Sequence, residues 1–330
     1  VIMRLLRPSN IYQEAWLLLG QCVLLSGLYP IKCFKTTRMN YVYVTVFLIA
    51  YYALFVNVND YAAQVLEELG SINPTIKVRK IRYYINIVVL PLIIISSMQR
   101  SSEVKRVFEE IDSVDKNIRF LNTEVDHRRC MKNDVFQITT VIFVVMLMNL
   151  MDYYGLVDND KGGMYVLMWI VDRIPDFVNT ILICSFAVLI NKIKFRFKQI
   201  NVVLDFITQG KNFVSAIELS DSNTFRLKLA RALQSKLCQT VSLVNKAYEF
   251  QFKILSMLYI IFMCLHVSVI YVESDIIVRS ICDPLLKLLL LQCSNFIMTC
   301  LVSVLQAHAQ CHLTWHQQQS LLQRNTFSSF

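Results

Sequence analysis

Glycine is scarce, at 7 in 330 residues, which excludes a collagen repeat with glycine at every third position. Charge is sparse too: 17% of residues are charged against 55% hydrophobic, the reverse of a disordered chain. At this length the chain is no small disulfide scaffold, and its 10 cysteines include no Cys-x-x-Cys and no regular spacing. They read as small apolar core residues. Also absent are G-x-G-x-x-G, a P-loop, G-x-S-x-G and H-E-x-x-H, the usual devices for cradling phosphate, exposing a nucleophile or holding catalytic zinc. No enzyme activity, cofactor or metal is expected.

What is present is apolar length. Mean hydropathy is +0.46, above the range of soluble globular domains. Six stretches approach the ~20 residues that cross ~30 Å of hydrocarbon as a helix: 41–59, 83–98, 135–155, 164–191, 254–273 and 283–306. The predicted fold class is therefore all-α, a multi-pass transmembrane helical protein. Pro91, Pro175 and Pro284 are expected to kink the second, fourth and sixth stretches. Residues 15–31 form a seventh candidate, but Gln21 and Pro30 interrupt it, so an interfacial or re-entrant helix is expected. Arg4 and Arg7 ahead of it imitate a signal peptide, yet no small-x-small cleavage site follows.

Lysine and arginine number 33 against 24 acidic residues, a net charge of +9. In a chain this apolar, such a balance points to an anionic bilayer surface, and no nucleic-acid partner is expected. Segments 1–40, 99–134, 192–253 and 307–330 hold 25 of the bases, while 60–82, 156–163 and 274–282 hold 6. Because basic loops stay in the cytoplasm during insertion, the first set, including the amino terminus, is expected inside. That is inverted relative to a G-protein-coupled receptor. A small-solute transporter is the main rival, but no repeat relates 41–155 to 164–306.

The inner segments have structure of their own. Val104, Val107, Ile111, Val114, Ile118 and Leu121 recur at steps of three and four, as do Leu229, Leu233, Leu237, Val241, Val244, Tyr248 and Phe252. Both stripes predict amphipathic helices, which either pack inside the chain or form a cytoplasmic platform joining subunits. The second runs without proline or glycine into the fifth membrane stretch, predicting one helix over 225–273, and 210–224 reads as a break. The expected organisation is a transmembrane domain over 1–306, with cytoplasmic helical extensions at 99–134 and 192–253, and a cytoplasmic end at 307–330. His308, Cys311, His312 and His316 share one helical face in that end but lack a nearby carboxylate, so they read as a solvated face.

Polar residues inside the fourth stretch are the best candidates for a site: Trp169, Asp172, Arg173, Asp176 and Asn179. Ionisable groups at membrane depth are costly and face a cavity or one another, unless the helix starts above the bilayer and they sit at its interface. On the deduced topology the outer halves of other helices add Tyr83, Tyr84, Asn149, Asp152, Tyr153, Tyr154, His266 and Tyr271. Aromatic walls with a few polar groups are what small-molecule recognition requires. The predicted ligand-binding set is Tyr84, Asn149, Tyr153, Trp169, Asp172, Asp176 and His266.

Four short runs carry a family resemblance: Leu6-Arg7-Pro8, Gly27-Leu28-Tyr29-Pro30-Ile31-Lys32, Arg196-Phe197-Lys198-Gln199-Ile200-Asn201 and Leu243-Val244-Asn245-Lys246-Ala247-Tyr248. In this order, over nearly the whole chain, they resemble the insect gustatory receptor family, the second being similar to its Gly-x-x-Pro entry. The resemblance implies a plasma-membrane protein of sensory-neuron dendrites. It implies small-molecule tastants bound in the outer half, and homo- or hetero-tetramers with other gustatory receptor subunits. It also implies a cation pore lined by a seventh helix. The family's terminal motif, Thr-Tyr, five apolar residues and Gln-Phe, is absent, and the sequence ends at Thr326-Phe327-Ser328-Ser329-Phe330. The expectation is a chain truncated before that helix, either a receptor or a non-conducting, modulatory subunit.

The orientation is directly testable. Epitope tags at Asp160 and at Gln209 are expected to be labelled from outside intact cells at the first position only. Labelling at Gln209 alone would reverse the topology.

Overall fold

Inside hydrocarbon every backbone N–H and C=O must be satisfied by the chain itself, so long apolar runs have to become helices. The computed structural model describes residues 22–23, 26–28, 37–72, 74–156, 163–210 and 221–277. It shows α1 (Thr37–Ile72), α2 (Pro74–Gln99), α3 (Ser101–Ile118), a 3-10 turn (Arg119–Leu121), α4 (His127–Leu156), α5 (Gly163–Gly210) and α6 (Asp221–Ile277). Five of these contain segments long and apolar enough to cross a membrane: Tyr41–Glu67, Lys80–Gln99, His127–Met151, Met164–Asp205 and Thr224–Leu265. The stretch 283–306, the histidine face at 308–316 and most of 15–31 lie outside the described residues. The chain divides into two compact units, Val1–Val269 and Ile270–Phe330; of the second, only the end of α6 is described.

The helices outrun the bilayer. α5 has 48 residues and α6 has 57, about 72 and 86 Å at 1.5 Å per residue. Lys192, Lys194, Arg196 and Lys198 therefore stand on the continuation of a membrane helix and not in a loop. Pro91 and Pro175 both lie inside unbroken helices. Of the expected break at 210–224, residues 211–220 lie outside the described residues, and 221–224 already belong to α6.

Local chemistry sets the other boundaries. Pro74 opens α2, where its missing N–H costs nothing, and it disfavours helix in the residue before it. After α3, Asn122 takes a left-handed conformation (φ 58°, ψ 33°) and stops the 3-10 turn, a backbone state asparagine tolerates. Asp126 then caps α4, its Oδ1 accepting the Arg129 N–H at 3.0 Å. Near the amino terminus, the Leu28 N–H donates to the Val23 carbonyl at 3.2 Å, and Gly27 between them has φ +71°. That is the helix C-cap in which glycine is favoured, and it gives a physical reason for Gly27 in its sequence run.

α5 is central. It packs against α1, α2, α3 and α4, and half of its most apolar window is buried, against 11% for α4 and α6. Every member of the α3 stripe from Val104 to Leu121 is buried. On α6, Leu233, Leu237, Val241, Val244 and Tyr248 are buried, and Leu229 and Phe252 partly so. The Tyr248 hydroxyl shares a hydrogen bond with Ser185 of α5 at 3.0 Å, and Phe186 packs its ring against Tyr248 and Phe252. Both stripes are thus taken up by packing within the chain.

Charges hold the same region together. Arg196 is fully buried and grips Asp115 of α3 with two bonds, Nε to Oδ1 at 2.8 Å and Nη2 to Oδ2 at 2.7 Å, while Nη1 donates to the Lys192 carbonyl at 3.1 Å. One turn earlier, buried Lys192 pairs with Asp134 of α4. On the other side of α3, Lys236 of α6 reaches Ser113 at 2.8 Å and Glu110 at 3.1 Å. Removing one partner of a buried pair strands the other in low dielectric, whereas replacing both with apolar residues is tolerated. Asp115→Ala is therefore expected to cost about 3–5 kcal/mol, read as a lowered thermal midpoint in detergent. Asp115→Leu with Arg196→Met should recover most of that loss.

Candidate functional site

Asp172, Asp176 and Asn179 follow one another on α5 at steps of four and three, which stacks them on one face. Asp172 is only 3% exposed, so this face is turned toward the neighbouring helices. The cation opposite is Arg82, from the first turns of α2. Its Nη2 lies 3.3 Å from Asp172 Oδ2 and 3.9 Å from Asp176 Oδ2. Arg173 supplies the second cation, Nη2 at 3.5 Å from Asp172 Oδ2 and Nη1 at 3.2 Å from Asp176 Oδ2. Two arginines and two aspartates therefore form a compact group of zero net charge.

An aromatic wall stands beside it. Tyr51 of α1 and Tyr83 of α2 both feel the charge of Asp172 through space. Phe55 packs on Tyr83 and Tyr84 with ring centroids 5.2 and 6.4 Å apart, and Tyr83 meets Tyr84 edge-on at 5.5 Å. Tyr52 ties α1 to α2 by donating its hydroxyl to the Ile87 carbonyl at 3.0 Å. Asn86 follows Arg82 by one turn and is 5% exposed. Among the described residues, the buried Tyr83 hydroxyl, the Asn86 amide nitrogen and the Asn179 side-chain oxygen have no hydrogen-bond partner. Such groups are rare in folded proteins, and they concentrate here on the facing surfaces of α2 and α5.

The sequence-predicted residues divide into three groups. Asp172 and Asp176 are in the charged group; Trp169 lies one turn before Asp172 on the same helix, and Tyr84 is part of the aromatic wall. Asn149 stays half-exposed on α4. Counting antiparallel from the 2.8 Å Asn191 to Gln137 hydrogen bond puts it at about the height of Asn179, but no bond links it to the group among the described residues. Tyr153 and His266 lie on α4 and α6, with side chains outside the described residues. Three members were not anticipated: Arg82, Tyr51 and Asn86. The first had a signal, because two aspartates beside one arginine at membrane depth require a second cation. Among the described residues no group of three His, Cys, Asp or Glu side chains is placed to hold a metal.

A model of the 7tm Chemosensory receptor family matches residues 17–324, nearly the whole chain. No curated protein and no solved structure matches it.

The two aspartates should differ in cost. Asp172 is buried between two guanidinium groups, and its loss leaves both facing low dielectric; the Asp176 side chain is 31% exposed. Asp172→Ala is expected to lower stability by about 3 kcal/mol or more and Asp176→Ala by about 1 kcal/mol or less. Thermal unfolding of the two variants in the same detergent checks the order.

Proposed function

Since the chain belongs to the 7tm chemosensory receptor family, we propose that it is a gustatory chemoreceptor that binds small-molecule tastants between α1, α2 and α5. The observation that carries this is the neutral four-charge group beside unpartnered Tyr83 and Asn86 atoms and an aromatic wall. With its own charges balanced, the group attracts neither cations nor anions strongly. It suits an uncharged molecule with hydrogen-bonding groups for Asp176, Arg82 and Asn86 and an apolar body for Tyr83 and Tyr84. Asn149, Tyr153, Trp169 and His266 complete the proposed outer pocket.

In this reading the multi-pass membrane chain sits in the plasma membrane of sensory-neuron dendrites. The amino terminus and the regions 99–134 and 192–253 are cytoplasmic, as the distribution of bases supports. The signalling unit is a homo- or hetero-tetramer of gustatory receptor subunits that gates a cation conductance through a pore lined by seventh helices. The α6 stripe is occupied internally, so assembly would use the other face of that helix, where Phe250, Met257 and Ile260 are exposed.

Cells co-expressing the chain with gustatory receptor subunits that carry a seventh helix, challenged with a tastant panel, are expected to show ligand-evoked cation entry. Removing an aromatic contact costs 1.5 kcal/mol or so, so Trp169→Ala and Tyr84→Ala should raise the half-maximal concentration about tenfold. Unchanged responses from both, and from His266→Ala and Asn149→Ala, at equal surface expression would place binding elsewhere.

A further inference from the structure

Outside the candidate site, several bases in the inner part of the chain are neutralised locally. Arg100 pairs with Glu103, Lys105 with Glu109, Lys116 with Asp112, Lys236 with Glu110 and Lys253 with Glu249. The corner between α3 and α4 gathers four bases that are not neutralised in this way. Arg119, Arg128, Arg129 and Lys132 are all exposed, and among the described residues none of them is in an ion pair. Two acids share the corner, Glu124 and Asp126, and Asp126 is engaged in capping α4.

The corner is a built surface. Leu121 is buried at 4% and pins the turn; Asn122 reverses it, and the Gln199 amide of α5 donates to the Glu124 carbonyl at 3.2 Å. Phe120, beside Arg119, is left 67% exposed. On α4 the exposed face passes from Arg128 and Lys132 to Phe136, 72% exposed, and Phe143, 66% exposed. The uncharged, apolar run of α4 begins at Val135, directly after Asp134, and is taken as the start of the hydrocarbon. At 1.5 Å per residue, Lys132 then stands about 4–5 Å outside the hydrocarbon and Arg128 about 10 Å outside. The headgroup layer adds roughly 5–7 Å on each side of the core, so Lys132 falls within it and Arg128 just beyond it, from where a long side chain reaches back.

We propose that the α3–α4 corner, through Arg119, Arg128, Arg129 and Lys132, binds the anionic phospholipid headgroups of the cytoplasmic leaflet, with Phe120 and Phe136 set among the lipids. Four exposed bases outside ion pairs, on a rigid corner next to the start of an apolar crossing and flanked by exposed aromatic rings, fit a phosphate-bearing surface by charge and by apolar contact at once. The leaflet assigned rests on the inward orientation proposed above, whose tag experiment stands apart from this one. Attachment here would hold the α3–α4 corner, and through Gln199 the inner part of α5, at a constant depth.

Native mass spectrometry of the full chain in detergent, with phosphatidylserine or phosphatidylcholine added, tests the proposal. The expected result is preferential retention of phosphatidylserine, reduced about tenfold or more when all four bases are changed to glutamine. All four side chains are exposed, so the variant should keep the wild-type thermal midpoint; if it does not fold, Arg128→Gln with Lys132→Gln is expected to show a smaller loss of the same kind. Lys105→Gln with Lys253→Gln removes two paired bases elsewhere and should leave retention unchanged. An equal loss from that control would mean bulk charge attraction and overturn the proposal, as would unchanged phosphatidylserine preference in the corner variants. Soluble glycerophosphoserine should compete poorly; competition as strong as that of the lipid would assign the corner to free phosphoesters instead.

Discussion

Charge has no solvent in the buried interior of a helix bundle, and an ionised side chain is kept there only where an opposite charge reaches it. That constraint falls on α5 at two heights. Asp172, Arg173 and Asp176 stand toward one end, and Lys192 and Arg196 toward the other. Between Asp176 and Lys192 there is no acidic or basic residue. Their partners come from three helices, Arg82 on α2, Asp115 on α3 and Asp134 on α4. The neighbours of α5 are therefore arranged around it by ion pairing as well as by apolar contact, and its central position follows.

The two heights are built differently. At the height of Lys192, that residue and Arg196 are almost wholly buried, and Arg196 is held in a planar, two-bond fork. At the height of Asp172, the contacts are longer, 3.2 to 3.9 Å, and the side chains of Arg82 and Asp176 keep 29% and 31% of their exposure. A tight fork fixes geometry, whereas a looser group with unpartnered neighbours can exchange contacts at small cost. Under the proposed receptor function, the looser end takes the ligand. α5, continuous through Pro175, joins that end to the clasp on α3.

Much of this was legible in the sequence. Helices and their stripes are local properties, so hydropathy and the step of three and four located α3 and the amino-terminal half of α6 before any contact was known. The cost of charge in hydrocarbon singled out Asp172 and Asp176, and both prove to be in the group. Arg82 was placed with a loop because the apolar run begins at Tyr83, although α2 starts earlier, at Pro74. Tyr51 and Asn86 were missed because each lies in an apolar stretch, where one more tyrosine or amide carries no periodic mark.

By itself, then, the sequence determined that the chain is helical, that it crosses a membrane repeatedly and which helix faces are apolar, since these depend on residues a turn or two apart. Only the tertiary structure decided which charge answers which. Arg82 meets Asp172 across 90 positions, Arg196 meets Asp115 across 81, and Lys192 meets Asp134 across 58. Any of these bases has the same Coulomb attraction for any acid. The choice is made by which helices become neighbours and at what height, and that is settled by the packing of the whole bundle.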